Sequence, residues 1–301
     1  MSAVSPSQRA WIPFVALCVV WGIPYFFIKL AVQEVPPVAV AFGRVALGAA
    51  ILLPVAWYQG ALGGLRGHAW AVGGFAVTEL AAPFTLIAVG ERWAASSLAG
   101  ILIATVPLMV LIVGPLFGVR ESLDARRILG VLIGFGGVIA LLGIDRVAGP
   151  HGWTGVVCLL VAALGYAAGP LIMQRHLTGV SRLGAAAVSM LVAALILLPP
   201  AVLLLPPAMP SPVALASILV LGAVCSACGL WLFFWLVAET GAARAAIITY
   251  INPAVASLLG VALLHERFGA GAALGLVLIL LGSWWATQRP VQQLPASEAN
   301  A

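Results

Sequence analysis

The sequence predicts an all-α integral membrane protein: ten transmembrane helices in two inverted five-helix repeats, with both termini cytoplasmic. Three observations predict it. The 301 residues are 63% hydrophobic and only 8% charged, with a mean hydropathy of +1.16; an average soluble domain carries about 25% charged residues. The apolar residues fall in continuous stretches of about 20, the length a helix needs to cross a bilayer. The second half of the chain also matches the first at an offset of about 145 residues. Fourteen Lys and Arg with nine Asp and Glu cannot cover a water-exposed surface of this size. The same composition excludes disorder, and four cysteines exclude a disulfide scaffold. The net charge of +5 comes from scattered basic residues, which argues against a nucleic-acid partner.

The apolar stretches run over 11–32, 37–58, 69–89, 94–117, 126–144, 152–174, 182–205, 212–237, 243–264 and 269–287. The first is too long for a signal-peptide core, and Trp21, Pro24, Tyr25 and Lys29 do not suit one. Residues 1–10 and 288–301 read as polar tails. A β-barrel would alternate apolar and polar residues over about ten positions. These stretches are continuously apolar, and helices satisfy every backbone polar group within the segment, as lipid requires. With the N-terminus inside, Arg9, Arg66, Arg120, Arg126, Arg127, Arg175, Arg182, Arg244 and Arg289 are cytoplasmic, and only Arg92, Arg146 and Arg267 are outside. The positive-inside bias therefore puts both termini in the cytoplasm.

The repeat aligns residues 11–144 with 152–287. Pro54 falls on Pro199, Glu121 on Glu266, Gly130 on Gly275, Gly137 on Gly282 and Trp21 on Tyr166; one residue of slippage matches Pro107 to Pro253 and Gly114 to Gly260. Five spans per repeat is an odd number, so the second repeat enters the membrane from the opposite side. Inverted repeats recur in secondary transporters, with the substrate site near the midplane between the halves.

Several segments resemble the drug/metabolite transporter superfamily, in particular its ten-helix EamA-type members. WGIPYFFIK resembles that family's tryptophan-glycine start with a following lysine, and FGRVALGAAILL its arginine-bearing second span. VPLMVLIVGPLFGVRESLDARRILGVLIGFGGVIAL resembles its proline span, Glu/Arg corner and glycine-rich closing helix, and INPAVASLLGVALLHERFGAGAALGLVLILLGSWW repeats that signature. Two positions depart from the pattern. The first corner reads Arg120-Glu121 in reversed order, and Ser189 stands where a second-half counterpart of Arg44 would be. The resemblance implies movement of small organic solutes such as amino acids, their analogues or drugs, mostly outward; related members exchange sugar nucleotides or phosphorylated sugars.

Glu79 sits near the centre of the third stretch, about ten residues from either end and some 15 Å deep. An ionisable group at that depth points to a transport pathway or proton relay, or to a structural buried pair. Arg44 lies about 10 Å deep at a similar level. A Glu79–Arg44 pair, direct or through water, is expected if the two helices face each other. Lys29, near an outer end, reads as a snorkelling side chain or a vestibule charge. Trp21, Tyr25, Tyr166, Trp231, Trp235 and Tyr250 lie inside spans and not at their ends. They are candidates for an aromatic pocket, with Asn252 as a polar partner; packing or lipid contact is the alternative for each.

Pro24, Pro83, Pro107, Pro170 and Pro253 interrupt spans one, three, four, six and nine. Each removes a backbone donor and bends its helix. These spans, with aromatic span eight, are the expected cavity wall. Spans five and ten lack proline and carry Gly130-x-x-x-Gly134 and Gly271-x-x-x-Gly275, expected to serve close packing within the chain or a homodimer.

Cys225-x-x-Cys228 lies within a span with no histidine beside it, and the phosphate-loop, HExxH and GxSxG signatures are absent. No enzyme activity, metal or cofactor is expected. The expected partners are a small-molecule substrate, membrane lipid and protons. The expected protein is a bacterial inner-membrane transporter exporting small organic metabolites by alternating access. A facilitative channel or uniporter, or an exchanger of phosphorylated or nucleotide sugars, remains open.

Overall fold

Every regular element is helical among the residues that the computed structural model describes, 8–118, 125–144, 151–206, 208–240 and 248–287. Arg120, Glu121, Arg146, Arg244, Arg289 and most of both tails lie outside them. The helices α1 (Gln8–Gly22) and α2 (Pro24–Ala31) make the first span, broken at Ile23 ahead of Pro24. The second is α3 (Pro37–Tyr58). Gly60 and Gly64, both at positive φ, then turn the chain back with a geometry that glycine adopts without strain. The third span runs through α4 (Ala69–Phe75), a π segment at Ala76–Ala81, and α5 (Ala82–Trp93). The pair α6 (Ser96–Ile103) and α7 (Val106–Val113) follows, with a 41° bend ahead of Pro107.

Next come α8 (Ala125–Ile144), α9 (Gly152–His176) and α10 (Arg182–Leu203). Another span joins α11 (Pro212–Leu219), a second π segment at Val220–Cys228, and α12 (Gly229–Thr240). The last two helices are α13 (Ile248–Leu264) and α14 (Ala270–Thr287). Among the described residues eight helices are long and apolar enough to cross a membrane, nine if the bent α6–α7 pair is one span; α13, at 17 residues, is shorter.

Helix bending follows the prolines only in part. Breaks or π distortion accompany Pro24, Pro83 and Pro107, but α9 and α13 continue as α-helix through Pro170 and Pro253. Conversely, the second π segment contains no proline.

The helices pack in pairs, α3 on α10, α5 on α9, α6 on α13 and α8 on α14. Side chains such as Leu132, Ile139, Leu195, Leu258 and Val277 face outward, as a lipid-bathed perimeter requires. The α8–α14 contact is backbone on backbone. A Cβ added at Gly130 would lie 2.6 Å from the Ala286 amide nitrogen, and one at Gly137 2.9 Å from that of Ile279. These small-residue faces are therefore spent within the chain and are not a free dimer surface.

One end of the bundle, called the Glu34 end, is tied by carboxylates. Glu34 accepts hydrogen bonds from the Ser211 amide and hydroxyl, both at 2.6 Å, at the start of α11. Glu266 accepts from the amides of Ser96 (2.6 Å) and Ser97 (3.0 Å) and from the Ser97 hydroxyl (2.7 Å), capping α6. His265, at φ 54°, reverses the chain after α13, so that the Glu266 amide donates to Gly260 O at 3.0 Å. That six-residue closure is a helix C-cap, and it aims the Glu266 carboxylate at α6.

Candidate functional site

The two π segments occupy corresponding places in the two halves, since the offset of about 145 residues carries Ala76–Ala81 onto the interior of Val220–Cys228. In the first, Pro83 has no amide proton to give to Glu79 O, and the Ala82 amide donates five residues back to Val77 O. In the second, the Gly229 amide donates to Val224 O and the Ser226 hydroxyl to Leu221 O at 2.9 Å, again at π spacing. Each π turn shifts the following side chains around the helix axis. One presents Glu79 and the other Cys225 and Ser226 to a common cavity of about 370 Å³.

Every span except α8 and α14 contributes to this cavity. Trp21, Tyr25, Arg44, Glu79, Tyr166 and Asn252 line it, as do Pro24 and Pro170. Trp231 does not: it is 51% exposed on the perimeter, one helical face away from the cavity residues Leu230 and Phe233. Trp235 packs on the Leu17, Leu236 and Ile248 cluster. The Tyr250 hydroxyl pairs with Thr287 Oγ1 at 3.0 Å, away from the cavity. Helical phase separates these three from the other aromatics, and uniformly apolar spans give no amphipathic pattern from which to read that phase. Pro83, Pro107 and Pro253 lie outside the cavity wall, the first two at distorted or bent points of their spans. A larger open groove of about 510 Å³, lined by Leu203, Leu204 and Leu205 among others, lies at the perimeter and holds no buried polar group.

Arg44 is a fixed cation. It is 7% exposed, its Nε donates to Ser226 Oγ at 2.9 Å, and its Cζ sits 3.6 Å from the centroid of the Phe84 ring. Ser226 thus relays from the guanidinium to the Leu221 carbonyl, while Phe84 screens one guanidinium face by a cation–π contact. Glu79 makes no hydrogen bond with it, so the expected pair is not a direct one. The Glu79 Oε2 atom is buried without a partner. It lies against Gly169 of α9, where an added Cβ would overlap the carboxyl group. The cavity therefore holds one anchored positive charge and one unanchored carboxyl among aromatic and methionine side chains, including Phe75, Met173 and Met190.

An indole and a side-chain amide set the rest of the wall. Trp21 Nε1 donates to Cys225 O at 3.2 Å, and the missing side chain at Gly229 leaves room for its ring. Asn252, with its amide nitrogen turned toward α1, donates to Cys18 O at 3.2 Å and Ile248 O at 3.1 Å. Among the described residues no cluster of three His, Cys, Asp or Glu could hold a metal, and all four cysteines are free thiols.

Lys29 does not snorkel. Its ammonium donates to the carbonyls of Glu91 (2.6 Å) and Ala94 (2.8 Å), closing the C-terminal turn of α5. The sequence did not single out the cavity-lining Ser226, Phe84 and Thr249 or the buried Glu91. Ser226 and Thr249 are ordinary small residues of an apolar span, and Glu91 stands beside Arg92 and Trp93 near a span end, where charge is unremarkable.

The profile of the EamA-like transporter family matches residues 9–143 and 153–288. The chain is similar to "Uncharacterized inner membrane transporter YedA" of Escherichia coli K12, with 29% identity over 92% of each protein. It is also similar to "Protein PagO" of Salmonella typhimurium, with 27% identity over 81% of each. "Uncharacterized transporter YoaV" of Bacillus subtilis is 20% identical over 91% of this chain and 95% of that protein. A solved crystal structure of 19% identity has the same fold, with a TM-score of 0.66 over 94% of this chain and 98% of that one.

Proposed function

The chain belongs to the EamA-like transporter family and is a multi-pass inner-membrane protein, and on that basis we propose that it is a secondary active exporter of small organic metabolites working by alternating access. In this reading the ten apolar stretches all span, with both termini cytoplasmic, so the Glu34 end faces outward. Residues 11–144 and 152–287 are the two inverted repeats. The matching π segments support that division, since both line the cavity within the bundle, and inverted-repeat transporters hold substrate between their halves.

The observation that carries the substrate class is the cavity itself. Arg44 offers a fixed cation to an anionic head, Glu79 an unanchored carboxyl to a cationic group or a proton, and the aromatic wall a surface for an apolar body. Amino acids, their analogues and drug-like amphiphiles have this chemistry. A single guanidinium among the described wall residues favours a singly charged head over the diphosphate of a nucleotide sugar. Glu79 is the coupling residue: proton uptake and substrate release alternate at its carboxyl.

A thermal-shift screen of amino acids and analogues on purified protein identifies the ligand. In liposomes that ligand then shows saturable uptake and counterflow, which a channel does not. A pH gradient drives its accumulation in the wild type. Glu79→Gln abolishes that drive and keeps exchange; gradient-driven uptake undiminished in Glu79→Gln would overturn the coupling.

A further inference from the structure

Glu91 takes no part in the cavity. It lies on α5 one helical turn beyond the cavity-wall residue Ile87 and on the same face, hence about 6 Å farther toward the Glu34 end. The residue is 0% exposed, and neither carboxylate oxygen has a hydrogen-bond partner. A buried carboxylate left this way is costly, and native structures keep few such groups without a functional reason. Ser96 Oγ at the start of α6 and Ser257 Oγ on α13 are buried and unpartnered at the same end.

Charged and titratable groups face Glu91 from each neighbouring helix. From α2 come Lys29 and Tyr25, from α3 Arg44, and from the turn after α13 Glu266. The α9 side carries His151, stacked on Trp93 at 4.6 Å, and, deeper, Tyr166. Two are already engaged: Arg44 by Ser226, Glu266 by Ser96 and Ser97. Lys29 is different. Its two backbone acceptors belong to the turn that bears Glu91, so its ammonium is pinned at this corner without bonding to the Glu91 carboxylate. Tyr25, one turn before Lys29 on the same face of α2, lines the cavity. The corner thus adjoins the cavity wall through both α2 and α5.

We propose that Glu91 is a second proton-binding site of this protein, a buried carboxyl between the cavity and the Glu34 end with Lys29 as its counter-charge. When the site is empty, carboxylate and ammonium balance. When a proton from water converts the carboxylate to the acid, the corner carries the ammonium charge alone. The placement of this site in a transport cycle rests on the proton-coupled reading of Glu79, whereas the site itself rests on the geometry of Glu91 and Lys29.

Dicyclohexylcarbodiimide reacts with protonated carboxyls in apolar surroundings, and tandem mass spectrometry of the labelled full chain in lipid vesicles locates the adduct. Glu91 is labelled at about pH 6 and at least about fivefold less at about pH 10, and in Lys29→Gln the fall moves to higher pH because the counter-charge is gone. No label on Glu91 at any pH, or equal label at every pH, overturns the site; an unmoved profile in Lys29→Gln overturns its pairing with Lys29. The wild-type profile decides the first question even if the variant does not fold. Glu79 is read from the same digest. A titrating Glu91 with an unlabelled Glu79 sinks the Glu79 coupling and leaves this site, and the reverse sinks this site alone.

Discussion

Arg44 on α3 is held by Ser226 on the second π segment, 2.9 Å away, and Ser226 is itself anchored to Leu221 O at 2.9 Å. This guanidinium of the cavity is therefore positioned by the π turn of the other half of the chain. The Ser226 hydroxyl bridges a charge and a carbonyl that the π spacing leaves reachable.

Ser226→Ala removes that bridge and leaves a buried guanidinium nitrogen and a carbonyl short of a partner. The expected cost is about 1.5–3 kcal/mol, as for a hydrogen bond to a charged group. It is read as a lowered melting temperature in detergent together with weaker ligand binding. Ser226→Thr keeps the hydroxyl and restores most of both.

Gly169→Ala places a methyl group where the Glu79 carboxyl lies. Overpacking of this kind costs about 1–3 kcal/mol. The larger effect falls on Glu79, which must leave its place. The folded variant binds ligand but loses the pH-driven part of its transport, the same phenotype as Glu79→Gln. Full gradient-driven uptake in Gly169→Ala would contradict the placement of Glu79.

Glu266→Ala deletes three hydrogen bonds at the start of α6, two of them to backbone amides. Loss of a charged N-cap costs about 1–2 kcal/mol. Hydrogen exchange at Ser96, Ser97 and the turn after them quickens relative to the rest of α6. Gly260→Val, whose side chain would collide with the Glu266 carboxylate, reproduces the effect without touching the acid.

Glu34 lies in the turn between α2 and α3, and its carboxyl is held below the ordinary range by the Ser211 hydroxyl and then by the Ser211 amide. A lowered value in the folded state means a stabilising contribution present above the ordinary glutamate value of about 4.3 and lost as pH falls below it. The side chain is solvent-exposed, so this contribution is small and weakens with salt. Carboxyl NMR titration of Glu34 shows a midpoint below the ordinary value in the wild type, and Ser211→Ala moves it back up.

The sequence carries the number and length of its apolar stretches openly, because lipid tolerates few charges and each span must satisfy its own backbone. Glu79 and Arg44 were legible for the same reason: a deep charge stands out against an apolar run. Glu91 did not stand out, because three polar or aromatic residues at a span end look like an interface. Tertiary packing buries it completely, with Lys29 bonded across the corner.

Which aromatics reach the cavity was likewise beyond the sequence. Trp21 and Trp231 both sit in apolar segments, yet one lines the cavity and the other faces out. Apolar character all around a helix erases the periodicity that marks an inward face in water-soluble proteins. The sequence by itself determined an all-helical membrane chain with an internal repeat and two deep charges. The tertiary structure decided the rotation of each helix, through π turns, glycine contacts and hydrogen bonds between residues up to about two hundred positions apart in sequence, such as Trp21 with Cys225. Those contacts compare alternatives that differ in packing and hydrogen bonding but hardly at all in hydrophobicity, and hydrophobicity is the quantity that such a sequence expresses most plainly.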